Sequence, residues 1–267
     1  MSVLIEKKNL DASNSSGARA DFMYRNILDQ KRYIHILGYV NQKHILDCAC
    51  GVGWGSFLMA KAGARHVVGI DLSSEALSTA KKYYNDLSIE YIHDNIYNYS
   101  NSHKFDLITS FETLEHLEDP LKFLKKVSSL SHAETMFFLS TPNGFSFKYK
   151  TDFPYNPYHK NEFTKEELIN LFDLSGWAVD EYLGQYPMEE GSEKINEYRN
   201  FIKSFWIEKK RSKTYGLIYK IFGKVYRRLM CKRIKEPAHS DDCSPKKIIS
   251  GFQPAYHYFK LKLKNND

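Results

Sequence analysis

The sequence predicts an α/β fold, a doubly wound sheet of seven strands, mostly parallel with an antiparallel last strand and interrupted by a helical insertion. Three observations carry this. Apolar runs of strand length alternate with helical stretches from residue 43 to residue 143, the rhythm of a parallel sheet covered on both faces. A glycine-rich turn joins the first such run to its helix. The chain then leaves the alternation for some sixty residues and returns to close on "AYHYFKLKLK", which alternates with strand period.

Each element has its own local signal. The polar, turn-rich "DASNSSGAR" predicts an N-terminal arm, followed by a helix from about Phe22 to Val40. "KHILDCAC" reads as a buried strand, "GSFLMAKAG" as a helix ended by Gly63, and "HVVGIDLS" as the second strand. "SSEALSTAKKYYN" is a helix capped by Ser73 or Ser74, and "IEYIHDN" a third strand. After the fourth strand, "FDLITS", comes a helix with Asp119 as cap and Pro120 at its first position, then a fifth strand in "TMFFLSTPN". "FTKEELINLFDLSG" is another capped helix, and "WAVDEYLGQ" a sixth strand. The expected organisation is one domain: an arm and helix to residue 40, a core over 41–186, an insertion over 187–250 and a final strand over 251–267.

Composition excludes some classes and leaves others. No segment has the apolar length of a signal peptide or a membrane span, so a cytoplasmic protein is expected. Cys48, Cys50, Cys231 and Cys243 form neither a CxxC pair nor a dense framework and read as reduced, buried thiols. The net charge of +6 is concentrated: from Lys203 to Lys235 twelve Lys or Arg face one acid, Glu208, a balance of +11 that leaves −5 for the rest of the chain. Within that segment Leu217, Ile221, Val225 and Leu229 repeat at helical spacing between basic residues. Such a segment suits a phosphorylated acceptor or an anionic membrane surface, and equally a solvated helical face.

Two stretches carry chemistry. In "ILDCACGVGWGS" an apolar strand ends in Asp47 and turns through Gly51, Gly53 and Gly55 into a helix, a loop open enough for a nucleotide-like cofactor across the strand ends. Asp71 ends the second strand, where a carboxylate meets ribose hydroxyls, and Asp94 follows the third. Ser56 stands at the third glycine position that a dinucleotide fingerprint requires, and no GxxxxGK[ST] phosphate loop is present. In "SFETLEHLEDP", Glu112, Glu115 and His116 have the i, i+3, i+4 spacing of one helical face, a set that can bind a divalent metal, place His116 as general base, or simply cap the next helix.

In these motifs the chain resembles the class I S-adenosylmethionine-dependent methyltransferases over about residues 30–180, which implies their Rossmann-like fold. "ILDCACGVGWG", "VGIDLS", "HDNI" and "FDLITSFETLEHLEDP" are similar to the family's ordered motifs. The resemblance implies S-adenosyl-L-methionine as cofactor, with Asp47, Ala49, Gly51 and Gly53 at its methionine end, Asp71 on the ribose, and Leu72, Asp94, Asn95 and Ile96 around the adenine. Ala49 departs from the usual first glycine, as in methyltransferases of surface-glycan biosynthesis, which the region also resembles. The ExxEH spacing is similar to that of small-RNA 2′-O-methyltransferases and polyphenol O-methyltransferases, and implies Mg²⁺ or Mn²⁺ held by Glu112, Glu115, His116 and a later histidine, His159, with Glu115 and His116 catalytic.

The leading expectation is O-methylation of a hydroxyl on a sugar, polyol or surface-glycan precursor, by an enzyme that is cytoplasmic or peripheral at the inner membrane surface. RNA 2′-O-methylation and methylation of a quinone precursor, phenol or phosphate-derived molecule are the alternatives. Against nucleic acid, the insertion holds no recognisable RNA-binding module.

Overall fold

A computed structural model describes residues 27–144, 158–190, 243–248, 250 and 252–264. The arm, the start of the first helix, the basic segment 203–235 and Cys231 fall outside these residues.

Helix α1 occupies 27–36 and passes into a single 3-10 turn at Leu37–Tyr39. The alternation follows as expected: β1 (His44–Cys48), α2 (Trp54–Lys61), β2 (His66–Asp71), α3 (Ser74–Tyr83), β3 (Ile89–His93), β4 (Phe105–Phe111), α4 (Pro120–Ser129), β5 (Ser131–Pro142), α5 (Lys165–Leu174), β6 (Trp177–Glu190) and β7 (Phe252–Leu263). Local chemistry sets the helix starts. Ser73 accepts from the Ala76 amide, Asp119 from that of Lys122, and Thr164 closes a reciprocal capping box with Glu167.

The seven strands run in the order β3-β2-β1-β4-β5-β7-β6, and only the pairings of β7 are antiparallel. This is the Rossmann-like sheet with its reversed last strand. The sixth strand is longer than expected. It runs past Pro187 to Glu190, because its pairing with β7 continues to Glu190↔Phe252.

Helices on both faces explain why the strands read as continuous apolar runs. Leu46, Val68, Ile108, Phe137 and Phe259 face one core with α4 and α5; their neighbours Ile45, Val67, Leu107, Phe138 and Tyr258 face a second core with α1 and α2. Trp177, fully buried, ties β6 to α4 by donating from its indole nitrogen to the Leu124 carbonyl at 3.1 Å. Cys48 and Cys50 are free thiols, and both they and Cys243 are buried. No helix among the described residues is long and apolar enough to cross a membrane.

Candidate active site

The strand order reverses between β1 and β4, and open α/β sheets bind ligands outside the carboxyl ends of the strands at that point. Both chemistry-bearing stretches of the sequence end there.

The loop after β1 is built around left-handed backbone: φ is +58° at Ala49, +55° at Gly51 and +80° at Gly53. The glycines serve different ends. A Cβ on Gly53 would lie 2.5 Å from the Tyr91 hydroxyl and 2.6 Å from the Ala80 Cβ, so that glycine lets the loop sit on α3 and β3. A Cβ on Gly51 would meet nothing within 4 Å, so that glycine faces open space. Asp47 is wholly buried beneath the loop, where it accepts from Ser56 Oγ at 2.7 Å, Thr109 Oγ1 at 2.7 Å and Tyr33 Oη at 3.0 Å. Burial pushes its carboxyl up, against those three hydrogen bonds. Asp47 thus knots β1, β4, α1 and α2 together under the loop, and its carboxylate is engaged from within the protein.

Asp71 clamps the same loop from β2. Its Oδ2 accepts the Gly51 amide and its Oδ1 the Ser73 amide, both at 2.8 Å, which leaves further lone pairs on a carboxylate that is only partly buried. Leu72 beside it is a large apolar side chain that is 67% exposed. Past β3, Asp94 accepts the Asn95 amide and Asn95 the Tyr97 amide, while Ile96 packs against the core. The residues assigned to ribose and adenine therefore stand side by side at the ends of β2 and β3. An exposed apolar surface beside a carboxylate, with a glycine that leaves space, fits an adenosine with a small charged tail.

The stretch after β4 does not form the single helical face its spacing suggested. Glu112 takes a left-handed φ of +51°, and only Leu114–His116 make a 3-10 turn. Glu112 consequently leaves the face of Glu115 and His116. Its Oε1 accepts from Ser140 Oγ at 2.9 Å and lies 3.2 Å from Arg32 Nη2. Glu115 is turned inward, 1% exposed; Oε2 accepts from Thr141 Oγ1 at 2.9 Å, and Oε1 has no hydrogen-bond partner among the described residues. The Glu115 carbonyl accepts the amides of Lys160 and Asn161, which docks the segment carrying His159 onto this turn. The rings of His116 and His159 meet edge to face at 4.9 Å, and His116 Nδ1 lies 2.9 Å from the Tyr158 carbonyl, leaving Nε2 turned to Glu115 Oε1 at 3.9 Å. One donor atom each from Glu115, His116 and His159 lie within 4.8 Å of one another. Of the four residues expected to hold a metal, these three are brought together and Glu112 is not. Burial pushes the carboxyls of both Glu112 and Glu115 up, with Arg32 opposing.

Arg32 is the residue the sequence reading missed. It is fully buried, paired to Asp29 at 2.6 Å, donating from Nε to Gln185 Oε1 at 2.6 Å, and stacked 4.7 Å over the Tyr256 ring. A signal existed: Leu28, Arg32, Ile36 and Val40 recur at i, i+4 spacing, and a lone cation inside an apolar stripe is out of place on a solvated helix. Ser140, Thr141 and Gln185 carried no comparable mark.

The family described as "Methyltransferase domain" matches residues 27–182, more than half of the chain. Among curated proteins, one of Mycolicibacterium smegmatis named "Probable S-adenosylmethionine-dependent methyltransferase" is 29% identical over 145 residues, 54% of this chain and 55% of its own. The ubiquinone biosynthesis O-methyltransferase of Actinobacillus pleuropneumoniae is 40% identical over 122 residues, 40% of this chain and 52% of its own. The chain thus spans about half the length of these relatives. The crystal structure of an S-adenosylmethionine-dependent methyltransferase from Clostridium acetobutylicum shares the fold, with a TM-score of 0.55 at 14% identity over 93% of this chain and 95% of that one. With motifs, strand order and family match in agreement, the chain belongs to the class I S-adenosylmethionine-dependent methyltransferases.

Proposed function

We propose that this protein transfers a methyl group from S-adenosylmethionine to a hydroxyl oxygen of a sugar or polyol, and that a divalent cation held by Glu115, His116 and His159 orients the acceptor. The observation that carries the reading is the gathering of these three donors at the end of β4, beside the cofactor loop, with a buried Glu115 oxygen left without a hydrogen bond.

The cofactor supplies a methyl group already activated on a sulfonium. The protein's task is then to aim an oxygen at that methyl group and take up its proton. Asp71 and the Gly51 amide fix the cofactor's side of the crevice; the turn at Leu114–His116 fixes the acceptor's. A single carboxylate with two imidazoles suits Mn²⁺, Fe²⁺ or Zn²⁺ better than Mg²⁺, and any of these would acidify a bound hydroxyl. The His116 Nδ1 contact with the Tyr158 carbonyl is the kind that orients a ligating imidazole. Without a cation, His116 stands as the candidate proton acceptor.

The +11 segment over 203–235 supports an acceptor carrying phosphate or a nucleotide, as glycan precursors do, or docking at an anionic membrane surface. A second reading, a phenolic diol as acceptor, is favoured by the relatives named for ubiquinone biosynthesis. Radiolabelled methyl transfer to sugar nucleotides, catechols and short RNA, with and without EDTA, separates these. Activity that EDTA leaves untouched would remove the cation; transfer to nitrogen acceptors alone would remove the hydroxyl.

A further inference from the structure

We infer that Glu112 receives the acceptor hydroxyl, anchored for that task by Arg32 and Ser140, and stands outside the set of side chains that holds the cation. The inference rests on the hydroxyl reading above for what Glu112 receives, and on the geometry alone for where it stands.

Glu112 is the first residue past β4, at the reversal of strand order. In register, Cys48 of β1 lies beside Ser110 of β4, so the glycine loop and Glu112 leave the sheet next to each other. The left-handed backbone at Glu112, uncommon for a residue with a side chain, breaks the helical spacing to Glu115, and the group of donors at Glu115, His116 and His159 does not include it. Both anchors converge on one oxygen: Ser140 Oγ and Arg32 Nη2 each reach Oε1. Oε2 has no partner among the described residues, and the side chain keeps 24% of its exposure. One oxygen is thus tethered inward and the other is available to a ligand in the crevice.

Arg32 makes this placement durable. It is pinned by Asp29, Gln185 and the Tyr256 ring, so it cannot follow Glu112 toward a cation. If Glu112 joined the metal set, a fully buried guanidinium would lose the carboxylate oxygen that lies 3.2 Å from its Nη2, an ion pair without a hydrogen bond at that nitrogen, and burial disfavours that loss. Glu115, by contrast, has a buried oxygen with nothing to bond and two imidazoles within reach. The two glutamates of the ExxEH stretch therefore divide the work: Glu115 belongs to the cation, and Glu112 accepts a hydrogen bond from the hydroxyl and directs its oxygen lone pair.

Glu112→Gln tests this at a single atom, since the amide keeps an oxygen for Ser140 and Arg32 but turns a donor toward the crevice. Mn²⁺ uptake would be followed by electron paramagnetic resonance, and S-adenosylhomocysteine and hydroxyl probes, UDP-glucose and catechol, by calorimetry. Glu112→Gln should hold Mn²⁺ within about twofold of wild type while Glu115→Gln loses about tenfold or more. With S-adenosylhomocysteine bound, Glu112→Gln should weaken the bound probe about tenfold or more. Arg32→Lys keeps the charge but loses the fork, and should weaken the probe while sparing Mn²⁺ and S-adenosylhomocysteine; a merely structural arginine would weaken all three.

Loss of Mn²⁺ in Glu112→Gln equal to that in Glu115→Gln would make Glu112 a ligand and overturn the inference. So would a probe that Glu112→Gln binds as well as wild type does. A wild type that takes up no Mn²⁺ refutes the cation reading and leaves the probe to decide on Glu112. A wild type that binds neither probe refutes the hydroxyl reading, and the inference falls with it.

Discussion

Replacing Gly51 and Gly53 by alanine, one at a time, separates cofactor space from folding space within a single loop. Both residues are left-handed, so each alanine carries about 1–2 kcal/mol of backbone strain. Ala49, already at +58°, shows that this loop accommodates a Cβ in that conformation. At Gly51 nothing else opposes the methyl group, since its Cβ finds open space. The cost to folding should therefore stay at about 1–2 kcal/mol, a fall in Tm of about 3–6 °C for a domain of this size. At Gly53 the new Cβ would overlap the Tyr91 hydroxyl and the Ala80 Cβ. Tyr91 cannot swing aside cheaply, because its hydroxyl is shared between the Gly53 and Tyr84 carbonyls at 3.0 and 2.9 Å. Overpacking added to strain brings the expected loss to about 3–5 kcal/mol. Binding should show the reverse emphasis. The Gly51→Ala methyl group enters the crevice and should weaken S-adenosylhomocysteine at least about tenfold, or about 1.4 kcal/mol. Thermal unfolding and calorimetric titration on the same two proteins give both quantities. A stable Gly51→Ala protein that binds S-adenosylhomocysteine as wild type does would refute the assignment of that space to the cofactor.

Asp47→Ala should cost about 3–5 kcal/mol in urea unfolding, because three buried hydroxyls lose their acceptor; a loss below about 1 kcal/mol would show that the knot beneath the loop does not hold it. His257 offers a test by pH. It is buried and neutral, accepting from the Tyr182 hydroxyl at Nδ1 and donating from Nε2 to the Phe163 carbonyl, and burial lowers its pKa from 6.5 to about 3. The unfolded chain therefore binds the extra proton between these values, so this stability is present above about pH 6.5 and is lost as pH falls toward 3. Between pH 6 and pH 4 wild type should lose about 2–3 kcal/mol more than His257→Gln, at about 1.4 kcal/mol per pH unit. The difference between the two proteins cancels the opposite contribution of Glu112 and Glu115, whose raised carboxyls favour the folded state as pH falls. Parallel pH curves for the two proteins would refute the buried neutral imidazole.

The sequence by itself determined the sheet, because its signals are local. Apolar runs of strand length, the glycine loop after Asp47, and caps such as Asp119 and Thr164 act within a few residues of where they are written. Spacing also put Asp71 at the end of β2 and Asp94 one residue past β3, on the side of the sheet where parallel strands carry their carboxyl ends. Tertiary structure decided which side chains those local signals bring together. The i, i+3, i+4 spacing of Glu112, Glu115 and His116 presumes helical backbone, and the left-handed φ at Glu112 removes it. Glu112 faces Arg32 at 3.2 Å, eighty positions earlier in the chain, and although the stripe around Arg32 marks that helix as packed, no short window says which carboxylate it will meet. His159 reaches His116 because two backbone amides dock on the Glu115 carbonyl. Asp47, legible from its place in the motif, takes three hydroxyls from α1, α2 and β4 that no local signal announced. Local energetics fix strands and turns residue by residue. The partner of a buried charge is fixed only when distant elements close over it, because a charge removed from water takes whichever opposite group the fold has carried to it.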